Sequence, residues 1–144
     1  ATGRYDAMVS ISSPPGDRRG ALRTGNDLLL DFDDSWPGRS SRHKVANEHD
    51  ITRIITFGQG LGDVQPNHMV LCHCGRGRSR STAAAIIMLF VNTQYTDSWC
   101  CRHVFAMCPK ATPNGWMLHL AEKQLSAKFR EHCFGRSKGP ETFA

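Results

Sequence analysis

The sequence lacks any apolar run long enough to cross a membrane. Its longest, Ala83 to Val91, is nine residues, against about 20 for a spanning helix. Its opening, ATGRYDAMVS, has no charged-then-apolar pattern, so no secretion signal is read. It also lacks an initiator Met, which raises the expectation of a processed or trimmed piece. There is no internal repeat, and no GxxxxGK[ST] loop of the nucleotide-binding kind. The six cysteines, at 72, 74, 100, 101, 108 and 133, include no Cys-x-x-Cys pair. A disulfide scaffold is usually smaller, denser in cysteine and secreted, so reduced thiols are the better reading. Cys72, Cys74, Cys100 or Cys101 with His73 or His103 matches no common zinc spacing. Acidic residues are the minority, 13 against 18 Lys and Arg, for a net charge of +5.

What is present fits one soluble domain. At 144 residues, 40% hydrophobic and 22% charged, the chain has room for a single core and is not of disordered composition. We expect a single domain over 1–134 and a flexible tail over 135–144, with a loop over 13–25 (SPPGDRRGALRTG). Between these, strands and helices alternate. Tyr5 to Ile11 and Asp27 to Phe32 read as strands, the second with Leu28, Leu30 and Phe32 on one face. Glu48 to Gly60 is amphipathic: Ile51, Ile54, Ile55 and Phe57 face in, Asp50 and Arg53 face out. His68 to His73 reads as a buried strand, expected to be the central one, and Ser81 to Val91 as a buried helix. Asp97 to Met107 is a shorter helix. A last helix is expected from Thr112 as N-cap, with Pro113 at N1, to about His132. The alternation predicts an α/β fold: a mainly parallel sheet flanked by helices, with ligands at its carboxyl edge.

Just past that edge lies HCGRGRSRST, residues 73 to 82. Arg-rich nucleic-acid segments are usually long and repeated, whereas this one is clamped between an apolar strand and an apolar helix. The alternative is an anion cradle around a nucleophile. A strand turning into a helix points successive amides inward, and the helix start adds about half a positive charge. Gly75 and Gly77 allow the tight curl, and Arg80 offers a planar fork for two phosphate oxygens. Cys74 at the centre of that field is expected to be a thiolate at neutral pH.

HCGRGRSRS resembles the His-Cys-x-x-Gly-x-x-Arg-Ser/Thr signature of the cysteine-based protein tyrosine and dual-specificity phosphatases. CPKATPNGWM, from Cys108, resembles that family's downstream Pro-Asn helix start. The register is most similar to the small bacterial predicted tyrosine phosphatases, over about residues 5 to 126. The resemblance implies hydrolysis of phosphotyrosine proteins, extending to phosphoserine and phosphothreonine, through a phosphocysteine intermediate, with no metal and no cofactor. It implies Cys74 as nucleophile, Arg80 and the 75–80 amides (Gly75, Arg76, Gly77, Arg78, Ser79) as phosphate binders, Ser81 as a donor to the sulfur, and His73 as a brace behind the loop. It also implies a missing N-terminal strand and helix.

The family's general acid lies on a loop after an earlier strand, and LLLDFDDSWPG offers Asp31, Asp33 and Asp34 there. Register favours Asp34 over Asp33. Trp36 either walls the pocket or anchors the loop. Arg76 and Arg78 either widen the preference toward polyanions, or else point into solvent or pair with Asp33 or Glu48. Cys72, Cys100, Cys101, His103 and His119 read as packing residues, and His73 as a core histidine fits its bracing role. Two alternatives stand beside the protein phosphatase: a phosphoinositide or inositol-phosphate phosphatase, and a non-catalytic phosphate- or nucleic-acid-binding module. The expected partner is a phosphorylated protein or other phosphomonoester, nucleic acid being disfavoured, and the expected location is cytoplasmic.

Overall fold

The computed structural model describes residues 5–14, 25–62 and 69–135. Most of the expected 13–25 loop, His68, and the tail beyond 135 lie outside these residues. Three strands, β1 (Ala7–Ser12), β2 (Asp27–Asp31) and β3 (Val70–His73), form a parallel sheet in the order β2-β1-β3. Five helices accompany it: α1 (Glu48–Gly60), α2 (Arg80–Asn92), α3 (Asp97–Met107), α4 (Gly115–Leu125) and α5 (Phe129–Phe134). No helix among the described residues is long and apolar enough to cross a membrane.

The middle strand is β1, not the 68–73 strand expected at the centre. β1 is buried on both faces, because AMVSIS puts apolar or small side chains at every position. It pairs Val9 with Leu28 on one side and Val9 with Cys72 on the other. β3 is only half-buried and pairs with β1 alone among the described residues. β2 alternates as expected, with Leu28 and Leu30 in the core and Phe32 just beyond it fully buried.

Helix α1 starts with a capping box: the Asp50 amide donates to Asn47 Oδ1 at 2.8 Å, and the Asn47 amide to Asp50 Oδ2 at 3.0 Å. Asp50 is therefore buried rather than outward, since its carboxylate is consumed by the cap. Ile51, Ile54 and Ile55 face the core as their spacing predicts. α2 is apolar nearly all round and packs against β1, β3, α1, α3 and α4, burying Ala83, Ala84, Ile86 and Ile87 completely. α3 has the expected bounds and is capped by Thr96, whose hydroxyl accepts from the Trp99 amide.

The final helix differs from expectation at both ends. Its N-cap is Asn114, whose side chain accepts from the Met117 amide at 2.9 Å. Thr112 and Pro113 lie before the helix, where the Thr112 and Asn114 amides donate to the Arg78 and Ser79 carbonyls of the loop before α2. The helix then stops at Ser126, which adopts a left-handed φ of 54°, and α5 restarts after it. A bidentate pair between Arg130 and Glu122, 3.0 Å at its shortest, fastens α5 back onto α4.

Gly58 on α1 sits against α2 so closely that a Cβ there would lie 2.7 Å from Val91 Cγ2. We expect Gly58→Val to destabilise the fold by about 2 kcal/mol through overpacking. Adding Val91→Ala should recover part of that loss, a coupling readable in denaturant midpoints.

Candidate active site

The loop of residues 74–79 leaves β3 and enters α2, and its shape follows from where its carbonyls go. The Arg78 carbonyl accepts from Thr82 Oγ1 (2.6 Å) and from the Thr112 amide (2.8 Å). The Ser79 carbonyl accepts from Thr82 Oγ1 (3.0 Å) and the Asn114 amide (3.1 Å). Each peptide plane that turns its C=O outward turns its N–H the other way, and the amides that reach the Cys74 sulfur are those of Gly77 and Ser81. Gly77 takes a φ of +69°, the one loop position where the left-handed region calls for glycine.

Cys74 is buried, and the Ser81 amide donates to its Sγ at 3.3 Å. Burial pushes the thiol up. The Ser81 hydroxyl and amide, the Gly77 amide and the Arg80 guanidinium outweigh it and hold the thiol below its ordinary value. His73 is not among these groups. It is exposed rather than a core histidine, and its Nδ1 lies 3.4 Å from Ser10 Oγ, as β3 lies beside β1. Cys72, two residues away on the same strand, is held among apolar groups 3.9 Å from Met88 Sδ, and burial pushes its thiol up to about 12.

Arg80 is buried, and its Nη1 donates to the Phe32 carbonyl at 2.8 Å and Ser13 Oγ at 3.1 Å. Its Nε is buried with no partner among the described residues. An N–H so placed costs free energy unless a ligand accepts from it. The end of β2 thus fixes one edge of the guanidinium while another donor stays unused.

Asp34 lies just past β2 and joins three elements. Its Oδ1 accepts from Ser79 Oγ at 2.6 Å and from Asn114 Nδ2 at 2.8 Å. Ser79, the first residue before α2, therefore spends its side chain on Asp34 rather than on capping the helix. Asp33 is instead turned to the chain after it, accepting from the Lys44 amide at 2.8 Å. Asp31 ends β2 in register with Ser12. Trp36 is half-buried, with the Arg39 guanidinium 4.6 Å above its ring.

A cleft of about 640 Å³ brings the expected residues together: Cys74, Gly75, Arg76, Arg78, Ser79 and Arg80 with Asp33 and Asp34. Ser13, Arg39, His43, Lys110 and Thr112 complete its wall; the sequence pointed to none of them as site residues, and to Thr112 only as a helix cap. A second cavity of about 400 Å³ shares Asp34 and Ser79 and is lined by Trp36, Phe105, Pro113, Asn114, Cys133 and Phe134. Asn114 was also missed as a site residue, although the Pro-Asn helix start was its signal. Among the described residues, no three His, Cys, Asp or Glu side chains gather as a metal would need.

No protein-family model matches the chain, and no curated protein matches its sequence. Solved structures do resemble it. Human DUSP28 superposes with a TM-score of 0.60 at 17% identity, over 83% of this chain and 74% of that one. The human tyrosine phosphatase-like serine/threonine/tyrosine-interacting protein gives 0.59 at 18% identity, over 85% and 78%. The chain has the α/β fold of these proteins, a parallel sheet with flanking helices.

The two cysteines of β3 and its end give a direct check. Iodoacetamide should alkylate Cys74 with a midpoint below the ~8.5 of a free thiol, while Cys72 stays inert through neutral pH. Ser81→Ala removes one of the groups that lower the Cys74 thiol, so its alkylation profile should move to higher pH, read by mass spectrometry of the labelled peptides.

Proposed function

We propose that this chain hydrolyses phosphomonoesters through Cys74, acting on phosphotyrosine-bearing proteins and, less selectively, on phosphoserine and phosphothreonine. The observation that carries the reading is the pairing of a thiol held down by three hydrogen-bond donors with the nearby Arg80, whose charge also lowers it and whose buried Nε has no partner among the described residues. Both line the same cleft as Asp34. A thiolate and a guanidinium that line one cleft form a place for a tetrahedral oxyanion. The shared fold of the two human proteins supports the reading.

The Cys74 thiolate attacks phosphorus in line with the ester oxygen. The P–O bond breaks as the S–P bond forms, and the inward amides with Arg80 hold the three equatorial oxygens. The leaving oxygen takes a proton from Asp34, for without one a phenolate of pKa near ~10 leaves slowly. Ser79 and Asn114 fix Oδ1 of that carboxyl, so Oδ2, with no hydrogen bond among the described residues, carries the proton. In the second step Asp34 takes a proton from water, whose oxygen attacks phosphorus. The sulfur departs as a thiolate, stabilised by Ser81. His73 acts at most through the strand, since its ring faces Ser10. A working thiolate requires reducing surroundings, in keeping with a cytoplasmic location.

The wall of the cleft favours one second reading, a substrate carrying more than one phosphate, as an inositol phosphate or phosphoinositide does. Arg76, Arg78 and Lys110 are exposed on it. The pairing with Asp33 or Glu48 that would neutralise the arginines is not made: Asp33 accepts from the Lys44 amide, and Glu48 meets Lys123 at 3.5 Å.

Hydrolysis of p-nitrophenyl phosphate tests the chemistry. Cys74→Ser should abolish it, and Arg80→Lys should lower kcat at least ~100-fold, because an ammonium cannot make the forked contact. Retained turnover in Cys74→Ser would overturn the proposal. Phosphate binding that survives Cys74→Ala, with no phosphate release by the unaltered chain, would mark a binding module instead. Asp34→Ala should slow phosphotyrosine peptide far more than p-nitrophenyl phosphate, whose leaving group needs less help, and Asp33→Ala should not discriminate. Parallel kcat/KM on a phosphotyrosine peptide and an inositol polyphosphate separates the two substrate classes.

A further inference from the structure

Two cysteines outside the cleft are brought together from helices far apart in sequence. Cys101, in the middle of α3, is fully buried, and Cys133 lies near the end of α5. Their sulfurs are 3.4 Å apart, with the Cys133 thiol donating to Cys101 Sγ. The Cys101 thiol in turn faces the Phe129 carbonyl at 3.6 Å, so both side chains are aimed into one contact between the helices. Packing alone does not require this arrangement, since a buried thiol behaves as a small hydrophobe and needs no sulfur partner. Reaching the ~2.05 Å of a covalent S–S bond takes about 1.4 Å of closure. Cys133 lies in the last turn of the short helix α5, past the Arg130–Glu122 tie, so the closure falls on the helix end rather than on its anchored start.

Access is one-sided. Cys133 lines the 400 Å³ cavity beside Asp34, whereas Cys101 does not. A small oxidant can therefore meet Cys133 first, with Cys101 waiting behind it as the second thiol.

We propose that Cys101 and Cys133 form a dithiol–disulfide pair, a peroxide-responsive latch joining α3 to α5 next to the cleft. The Cys133 sulfur attacks one oxygen of hydrogen peroxide. The O–O bond breaks, the released hydroxide takes up the thiol proton, and Cys133 becomes a sulfenic acid. The Cys101 sulfur then attacks the Cys133 sulfur, the S–O bond breaks, and the hydroxyl leaves as water with the Cys101 proton. Two thiols have lost two electrons and two protons, and one peroxide has become two waters. The closed loop spans 32 residues, long enough to restrain the unfolded chain substantially. It also fixes Cys133 and Phe134, which share a cavity wall with Asp34 and Asn114.

The inference does not rest on the proposed hydrolysis and is tested without it. The full chain carrying Cys74→Ser, which removes the most reactive thiol, is treated with hydrogen peroxide and then, in denaturant, with iodoacetamide. Two fewer thiols should alkylate than in the reduced control, and a non-reducing digest should yield the Cys101–Cys133 crosslinked peptide. The thermal midpoint should rise by about 5 °C or more and fall back on reduction. Cys133→Ser should lose both the crosslink and the rise, while Cys108→Ser keeps both. A crosslink between other cysteines, sulfinic acid at Cys133 without a crosslink, or both thiols still alkylatable after peroxide would overturn the proposal. A crosslink in this variant, together with a reduced, unaltered chain that hydrolyses nothing, would leave the latch standing and count against the function alone.

Discussion

Everything at the carboxyl edge of the sheet hangs on four hydrogen bonds that draw two loop carbonyls outward. Thr82 from α2 and the amides of Thr112 and Asn114 take the lone pairs of Arg78 and Ser79. Without them those carbonyl oxygens would compete for the inward positions, and the loop would present negative rather than positive dipoles to Cys74. The same bonds explain why the last long helix starts late. Residues 112–114 are anchored to the loop by the Thr112 and Asn114 amides, and the helix begins only after Asn114. Asn114 then caps α4 with its oxygen and holds Asp34 with its nitrogen. One side chain thus ties helix start, loop and carboxylate into a single rigid unit, with Ser79 as its second strap.

The two cysteines two residues apart show how far position outweighs residue type. Both lose water on folding, which disfavours the thiolate, and a single pKa unit corresponds to about 1.36 kcal/mol. Cys72, with Met88 beside it, meets no donor that repays the loss, and its thiol rises to about 12. Cys74 meets the end of a helix, a hydroxyl and a guanidinium, and falls instead. The direction of the shift is set by whether β3 has ended, because only past the strand do free amides become available.

Local patterns in the sequence carried most of the fold. α1 and α3 have the bounds their periodicity predicts, and β2 alternates as Leu28, Leu30 and Phe32 require. The loop with Cys74, Arg80 and Ser81 was legible because its chemistry is contiguous. What was not legible depends on contacts distant in sequence. The strand order is one such feature: β3 read as central from its apolar run, yet β1 takes the middle because it alone is buried on both faces. The break at Ser126 is another, since nothing in its local composition announces a left-handed residue. Asp50 read as solvent-facing by helical phase, whereas the Asn47 cap takes it inside. Lys110 and Arg39 reach the cleft from loops whose paths only the packed fold defines.

The positive charge of the chain divides by burial into two roles. Arg80 is buried and held at Nη1, so its field acts in a low dielectric and salt screens it little. Arg76, Arg78 and Lys110 stand exposed on the cleft wall, where about 10 Å of Debye length at 0.1 M salt limits their reach. The buried cation can discriminate a transition state from a ground state because it is fixed before the substrate arrives. The exposed ones can only gather anions and favour those with charge to spare beyond the scissile phosphate. Turnover on the proposed reading is therefore set by the inner donors, and substrate choice by the outer ring, which is why mobile salt should change selection more than chemistry.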